Sequence, residues 1–476
     1  DLSYGFTAEK DPGEEFFQGS NKKTGFDFYS FHAFLKNYSP RLKAIALGDY
    51  AISLGQGLIT NYGFGYGKSS FATLIKKGGP VLLPYTSTLE NNFFRGIAAT
   101  VQLSKRFECT AFASHRNVDA NLGEPDSLID YDFGFTSLQA SGFHRTQAEI
   151  DDKNAIKSTD AGLNLKYNYR NLSISLNGLY TEFNRVFIPQ KRLDNLYAFS
   201  GKSLSNISFD YAYIYRNFYF FGETARSDNG AIATVNGVLI TLDRRVDLAL
   251  FHRYLPVAYQ SLNPRVFAEG STGSNEKGFY LGAKFYPARG WTIDAYFDVW
   301  KNPWLRFNVA SPSVGREYLT KIQYSIKRKF DIYIQYKNET KAQNISESEL
   351  LKKVGDQNKQ QVRVHLAHKL NKHLELRNRF EWVFYRDASG QKSNGFMVFQ
   401  DVLYKPIQIP VSFTARLAYF DTKDYSSRIY AFENDLLYSF SIPPYYYKGA
   451  RWYLNVRSKI ARNIMLEAGI AQTILA

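Results

Sequence analysis

No run of ~18 apolar residues occurs in the 476-residue sequence, so it offers no helix able to cross a bilayer. That absence leaves membrane strands open, because a strand crosses with ~9–11 residues and only half of them meet lipid. Cysteine is nearly absent too. Cys109, alone in Phe107-Glu108-Cys109-Thr110, excludes an internal disulfide and any cysteine-based metal site, and it reads as a small strand residue. Blocks of like charge are lacking, although the net charge is +15. A basic soluble protein would point to nucleic acid. Spread charges in a strand-rich chain point instead to basic turns, a charged interior and lysines meeting anionic lipid headgroups. No segment of signal-peptide character is present, and Asp1 opens in strand-like sequence, so a mature or trimmed form is expected.

What the sequence has is aromatic residues and alternation. Phe, Tyr and Trp make up 16% of it, with 35 Tyr and 38 Phe, in a chain that is 22% charged. Only separate faces accommodate both kinds of residue, and β-strands supply them. Ala161, Leu163, Leu165 and Tyr167 alternate with Gly162, Asn164, Lys166 and Asn168. After the tight turn Arg170-Asn171, Leu172, Ile174 and Leu176 alternate with Ser173, Ser175 and Asn177. The pattern returns through the chain to Trp452, Leu454 and Val456. The strands are long, and aromatic residues sit at both ends of their apolar stripes, as in the girdles of membrane barrels. The expected fold is therefore all-β: a large antiparallel outer-membrane barrel of about 22 strands, one domain over residues 1–476. A final strand is expected to be missing beyond Ala476, and the segment from Arg428 to Gly449 does not parse as strand.

Short connections such as Lys105-Arg106, Arg216-Asn217 and Arg328-Lys329 alternate with long ones, and the short set is expected to face the periplasm. Two long loops stand out. Residues 54–92 are rich in glycine and apolar residues, including Gly55, Gln56, Gly57, Gly63, Gly65 and Gly67. On the surface they would form an exposed apolar patch, so an inward fold that plugs or constricts the lumen is expected. Gly67-Lys68-Ser69 imitates the end of a phosphate loop, but Tyr62 stands where that motif needs glycine. The loop 119–156 holds His144 and Arg145 among Glu149, Asp151, Asp152 and Lys153, a candidate partner-binding cluster.

The inward-facing candidates are Glu375, Arg377, Arg379 and Glu381, with Arg363 and Lys369 on the preceding strand. They form a mixed ladder that ties the wall together and tunes what passes. His365 and His368 fall on opposite faces of a strand and make poor co-ligands. No arrangement of nucleophile and base is legible. The chain is read as a non-enzyme with no catalytic residue, no cofactor and no metal ligand.

Short runs throughout the chain carry a resemblance. They include Gly48-Asp49-Tyr50, Leu54-Gly55-Gln56-Gly57-Leu58, Ser141-Gly142-Phe143-His144-Arg145-Thr146, Phe199-Ser200-Gly201-Lys202, Asn275-Glu276-Lys277-Gly278 and Tyr430-Ala431-Phe432-Glu433-Asn434-Asp435. In these the chain resembles the barrel portion of an outer-membrane family of Bacteroidota described as helix-hairpin-helix domain-containing proteins. The resemblance implies an upstream helix-hairpin-helix segment absent from this sequence, so a DNA-handling role would rest outside it. It supplies no catalytic residues. Three functions are carried forward: a pore or transport barrel, an accessory subunit of an outer-membrane assembly or secretion complex, and that DNA-handling role. The expected partners are outer-membrane lipid and lipopolysaccharide, with other outer-membrane or periplasmic subunits, and nucleic acid is not expected to bind this chain alone.

Overall fold

The computed structural model describes residues 1–62, 67–123, 134–345 and 352–476. Among these, one 24-stranded sheet forms nearly the whole architecture. Three of its members are short: Leu82–Pro84, Ala120–Leu122 and Phe135–Leu138. The other 21 follow one another from Leu2–Glu9 to Ile464–Leu475, each antiparallel to the next. Leu2–Glu9 pairs with Phe28–Lys36, and Ile464–Leu475 with Lys448–Ala461.

The alternation read from sequence decides which face meets what. In the ladder between Leu172–Phe187 and Gly201–Tyr215, Leu176 sits opposite Phe209 and Gly178 opposite Ile207, while Asn177 faces Ser208. Leu176 is 51% exposed and Ile207 59%, whereas Asn177 and Ser208 are buried. The same inversion holds around the wall: Ile334 and Leu417 are exposed, while Arg253, Asp298 and Glu317 are buried. A water-soluble core places these residues the other way round. Apolar side chains outside and polar ones inside are the arrangement of a chain surrounded by lipid, and the protein is a multi-pass outer-membrane β-barrel. Aromatic pairs stand near the short turns: Phe107 with Tyr167 at 4.9 Å and Trp291 with Tyr324 at 5.0 Å. They form the girdle of that interface.

The hairpins at Arg170-Asn171 and Arg216-Asn217 place their arginines at φ 50° and 52°, the positive φ that a tight β-hairpin turn demands of its first residue. The other end of the barrel is less uniform than expected. Residues 10–27, 53–93, 119–155 and 256–275 are long there, but residues 228–231 and 387–391 are tight turns at the same end. The neighbouring long loop leans over the first of them, with Asn229 donating to the Ala258 carbonyl at 2.6 Å.

The segment that the sequence left unparsed is a second folded loop. Ile429–Tyr430 pairs with Pro444–Tyr445. Ile429, Ala431 and Tyr445 are buried against Val383, Met397, Phe399, Ala418 and Phe420 of the wall. Arg416 donates to the Phe432 carbonyl at 2.8 Å, and Arg451 pairs with Glu433. Cys109 lies in the wall, opposite Val101 on one side and Leu165 on the other.

Candidate functional site

The loop leaves the wall at Ile52 and returns to it at Leu82, where Leu82–Pro84 pairs with Tyr50–Ile52. Its root is tied by Ser53 donating to the Val81 carbonyl at 2.9 Å. Between these points the chain crosses to the far wall. Leu54, Leu58, Ile59, Ala72 and Ile75 are buried in one apolar cluster with Phe221, Ala225, Val235, Phe251 and Tyr280. The wall strands involved are Phe218–Ser227, Ile232–Asp243, Val246–Leu255, Glu276–Phe285, Trp291–Asn302 and Ser313–Ile326. Small residues on those strands make room for it.

An excursion of this length carries backbone groups that need partners, and the wall provides them. The Glu223 carboxylate accepts from the N–H groups of Gln56 at 2.6 Å and Leu58 at 3.1 Å. Asp294 accepts from the Ala72 N–H at 3.2 Å, and Tyr280 donates to the Ala72 carbonyl at 2.8 Å. The loop 256–275 covers the other side: Arg265 N–H donates to the Gly57 carbonyl, Tyr259 to Leu58 and Ser261 to Ile59. Gly55 and Gly57 take positive φ here, where a Cβ would strike Glu223 and the Arg265 carbonyl. Gly63 and Gly65 lie outside the described residues, and Gly67 has open space beside it.

Lys68 is the charged anchor. Its ammonium lies 2.5 Å from Glu269, 3.0 Å from Asp298 and 3.3 Å from Glu317, over the Trp300 ring at 4.3 Å. Burial opposes its charge, yet Glu317, Glu269 and Asp298 hold its pKa well above the usual lysine range. Arg253 joins Asp298, at 2.8 Å, to Glu276. Lys337 pairs with Glu317, and Lys341 with Glu269 and Glu339. Sequence reasoning dismissed the Gly-Lys-Ser run as a phosphate loop and missed this use of its lysine. The signal lay on the wall: Glu223, Asp294, Asp298 and Glu317 all fall at inward positions of their alternating strands.

A neighbouring lysine gives the loop a pH dependence. Burial, reinforced by the positive Arg265, lowers Lys77 to about 8. In an undocked, hydrated loop the same amine titrates near its ordinary ~10.4. The docked state therefore binds fewer protons between these values, and docking strengthens as pH rises from about 8 towards ~10.4. Below pH 8 the docked loop must hold a buried charge. Hydrogen exchange of the loop amides, corrected for intrinsic rates, is expected to show more opening at pH 7 than at pH 9.5. Lys77→Met should flatten that difference.

The opposite arc of the lumen is basic. Arg363 grips Glu381 through two bonds of 2.7 and 2.9 Å across the strands. Lys369 reaches Glu375 at 3.4 Å, and Arg377 pairs with Glu375 along the same strand at 2.7 Å. Arg379 and His365, opposite one another in the register, each keep a buried nitrogen without a hydrogen-bond partner. Polar cavities lie on the inner side of the wall. One of about 240 Å³ lies between Gln56, Lys76 and Lys77 and the wall residues Asn164, Ser175 and Asp210. Another, of about 360 Å³, is lined by Glu339, Lys341, Lys359, Tyr385 and Arg428.

His144 and Arg145 part company at the outer end. Arg145 is exposed, stacked on Phe143 at 3.9 Å and paired with Glu149 at 3.0 Å. That glutamate completes the capping box of the short helix Gln147–Asp151. His144 is buried. Its Nδ1 lies 2.5 Å from Asp27 and its Nε2 3.3 Å from Asp119. Burial works to lower its pKa, but hydrogen bonds to Asp119 and Asp27 outweigh that and hold it at about 10. Burial, with Asp27 nearby, pushes Glu90 up to about 9.

No family model matches the sequence, and no curated relative does. Among solved structures, the chain is similar to the siderophore receptor PirA from Acinetobacter baumannii, with a TM-score of 0.48 and 9% identity over 93% of this chain and 72% of that one. It is similar to the copper transporter OprC with a TM-score of 0.45 and 10% identity, over 93% and 71% of the two chains. A third similarity is to OmpT, an outer membrane protein of Vibrio cholerae, with a TM-score of 0.36 and 10% identity over 79% and 98%.

Proposed function

We propose that this outer-membrane barrel is a plugged pore that passes small polar solutes when the loop 53–85 leaves its seat. The observation that carries the reading is the seat itself. The wall strands from Phe218 to Ile326 present Glu223, Asp294, Asp298 and Glu317 inward to one connecting loop, and that loop answers with backbone donors and a lysine. A barrel whose interior served only as scaffold could fill it with wall side chains. Here the interior is shared between this segment, a polar cavity beside it and a further polar cavity against the wall near Tyr385. Arg379, whose Nε has no hydrogen-bond partner beside the ion-paired Arg363 and Arg377, tilts this arc towards anionic over cationic solutes.

The root geometry makes the test clean. Ser53 and Val81 are already hydrogen-bonded, so residues 55–79 can be replaced by a short Gly/Ser linker without disturbing the wall. In planar bilayers the intact chain is expected to conduct weakly and the loopless chain about tenfold more, as an open lumen of this width should. A folded barrel that stays silent in both forms overturns the proposal.

A further inference from the structure

Among the described residues two groups of carboxylates stand out, and they differ in how their charge is met. In the lumen, Glu269, Glu317 and Glu339 lie together, but Lys68, Lys337 and Lys341 already occupy the space between them. At the outer end, Glu14, Asp27, Glu90 and Asp119 surround His144 with Lys153 as the lysine partner of Asp27. His144, Asp27 and Glu14 are each more than nine-tenths buried.

The roles within this second group are unequal. Asp27 is fully engaged: it accepts from Asn21 at 2.9 Å, from Lys153 at 2.5 Å and from His144 Nδ1 at 2.5 Å. Glu14 accepts the His144 backbone N–H at 2.9 Å and that of Asp11 at 2.7 Å. These bonds fix the ring from behind and turn Nε2 towards Asp119. Asp119 keeps its place through the Asn154 N–H, which it accepts at 2.8 Å on its other oxygen. Glu90 is the exception. Its Oε1 is buried without any hydrogen-bond partner. An oxygen in that condition is costly unless something binds it. One ring nitrogen of His144 and one oxygen each from Asp119 and Glu90 lie within 4.8 Å of one another, and Nε2 is the nitrogen that faces Asp119, at 3.3 Å. Donors around a four-coordinate ion with bonds of ~2.0–2.2 Å sit roughly 3.4 Å apart, so a small inward movement completes the set. A carboxylate on the far nitrogen of a ligating histidine is the usual support of such a ligand. A cavity of about 150 Å³, lined by Asp119, Gln139, Ser141 and His144, leads to the position and leaves space for a fourth, water ligand.

We propose that His144 Nε2, Asp119 and Glu90 form a binding site for a divalent transition-metal cation such as zinc, with Asp27 positioning the histidine. The nitrogen donor and the three-ligand set favour zinc over calcium or magnesium, which take oxygen ligands in larger number. On binding, the cation displaces the Nε2 proton of His144 and the proton of the Glu90 carboxyl, and both leave to solvent. The bound ion would staple the segments 10–27, 86–92 and 134–154, together with Asp119, over the outer mouth of the barrel.

The full chain in detergent, titrated with zinc ion against a chelating dye, tests this. One ion per chain is expected, with binding weakened at least tenfold by His144→Ala and by the isosteric Glu90→Gln, and no competition from millimolar calcium. Heat-modifiable electrophoretic migration reports whether each variant still folds. If His144→Ala does not fold, Glu90→Gln decides alone. Zinc uptake that is absent from the wild type, unchanged by Glu90→Gln or displaced by calcium overturns the assignment.

Discussion

Replacing Lys68 by methionine should release the plug from its seat, with the open population rising about thirty- to a hundredfold. The ammonium meets three buried carboxylates, and losing one partner of a buried ion pair costs ~3–5 kcal/mol because the charges left behind stay desolvated. The full figure does not apply here. Lys341 already contacts Glu269, Lys337 already contacts Glu317, and Arg253 holds Asp298. About 2–3 kcal/mol is the portion that those neighbours leave uncovered, and each ~1.4 kcal/mol is tenfold in the opening equilibrium. Hydrogen exchange across residues 67–79 would report the change directly, and the open probability in bilayers would report it independently. If the amides exchange no faster than in the wild type, the lysine does not hold the loop.

A steric variant should reach the same end without touching a charge. Gly282 lies on the inward face of Glu276–Phe285, and a Cβ there would come within 2.2 Å of the Ala72 carbonyl oxygen of the plug. The obstacle is backbone, already bonded to Tyr280 and Asp294, so it cannot step aside alone. Gly282→Leu is expected to cost the docked state more than the ~1–3 kcal/mol typical of overpacking, because the plug must leave rather than adjust. The strand itself remains paired to both neighbours, so the barrel should keep its folded electrophoretic mobility while conductance rises. Gly178 provides the control. It lies on the lipid-facing side with nothing near its absent Cβ, and Gly178→Ala should change neither property. A leucine at 282 that leaves conductance at the wild-type level would place the plug elsewhere than on this wall.

The wall was readable because its physics is local. Alternation along Leu172–Phe187 or Trp291–Asn302 assigns each side chain to lipid or lumen without knowledge of any partner strand. The apolar composition of residues 54–92 likewise argues inward, and Leu54, Leu58 and Ile75 are buried against the wall. What stayed hidden depends on contacts between residues far apart in the chain. Nothing around Gly67-Lys68-Ser69 announces Glu269, Asp298 and Glu317 as its partners. Nothing around His144 announces Asp27 or Glu90. The run from Arg428 to Gly449 resisted reading because its two ladder strands are only two residues long, too short for any period to show. The rhythm of short and long connections failed at residues 387–391 and at 228–231, where the neighbouring loop closes over the second turn.

The seat of the plug also orders events in time. Residues 54–62 and 67–75 follow the third wall strand; Tyr62 packs on the nearby Phe94, yet the hydrogen-bonding seat belongs to strands beginning at Phe218 and ending at Ile326. Gln56 and its acceptor Glu223 are separated by 167 positions. A contact of that span gains nothing until the intervening hairpins have formed and curled, since the entropy of closing so large a loop must first be met. During insertion, the strands from Phe94 to Ile326 must therefore assemble around a tethered segment whose hydrogen-bonding seat does not yet exist. The barrel begins open on this side, and this loop cannot close it before the strand that ends at Ile326 is in place.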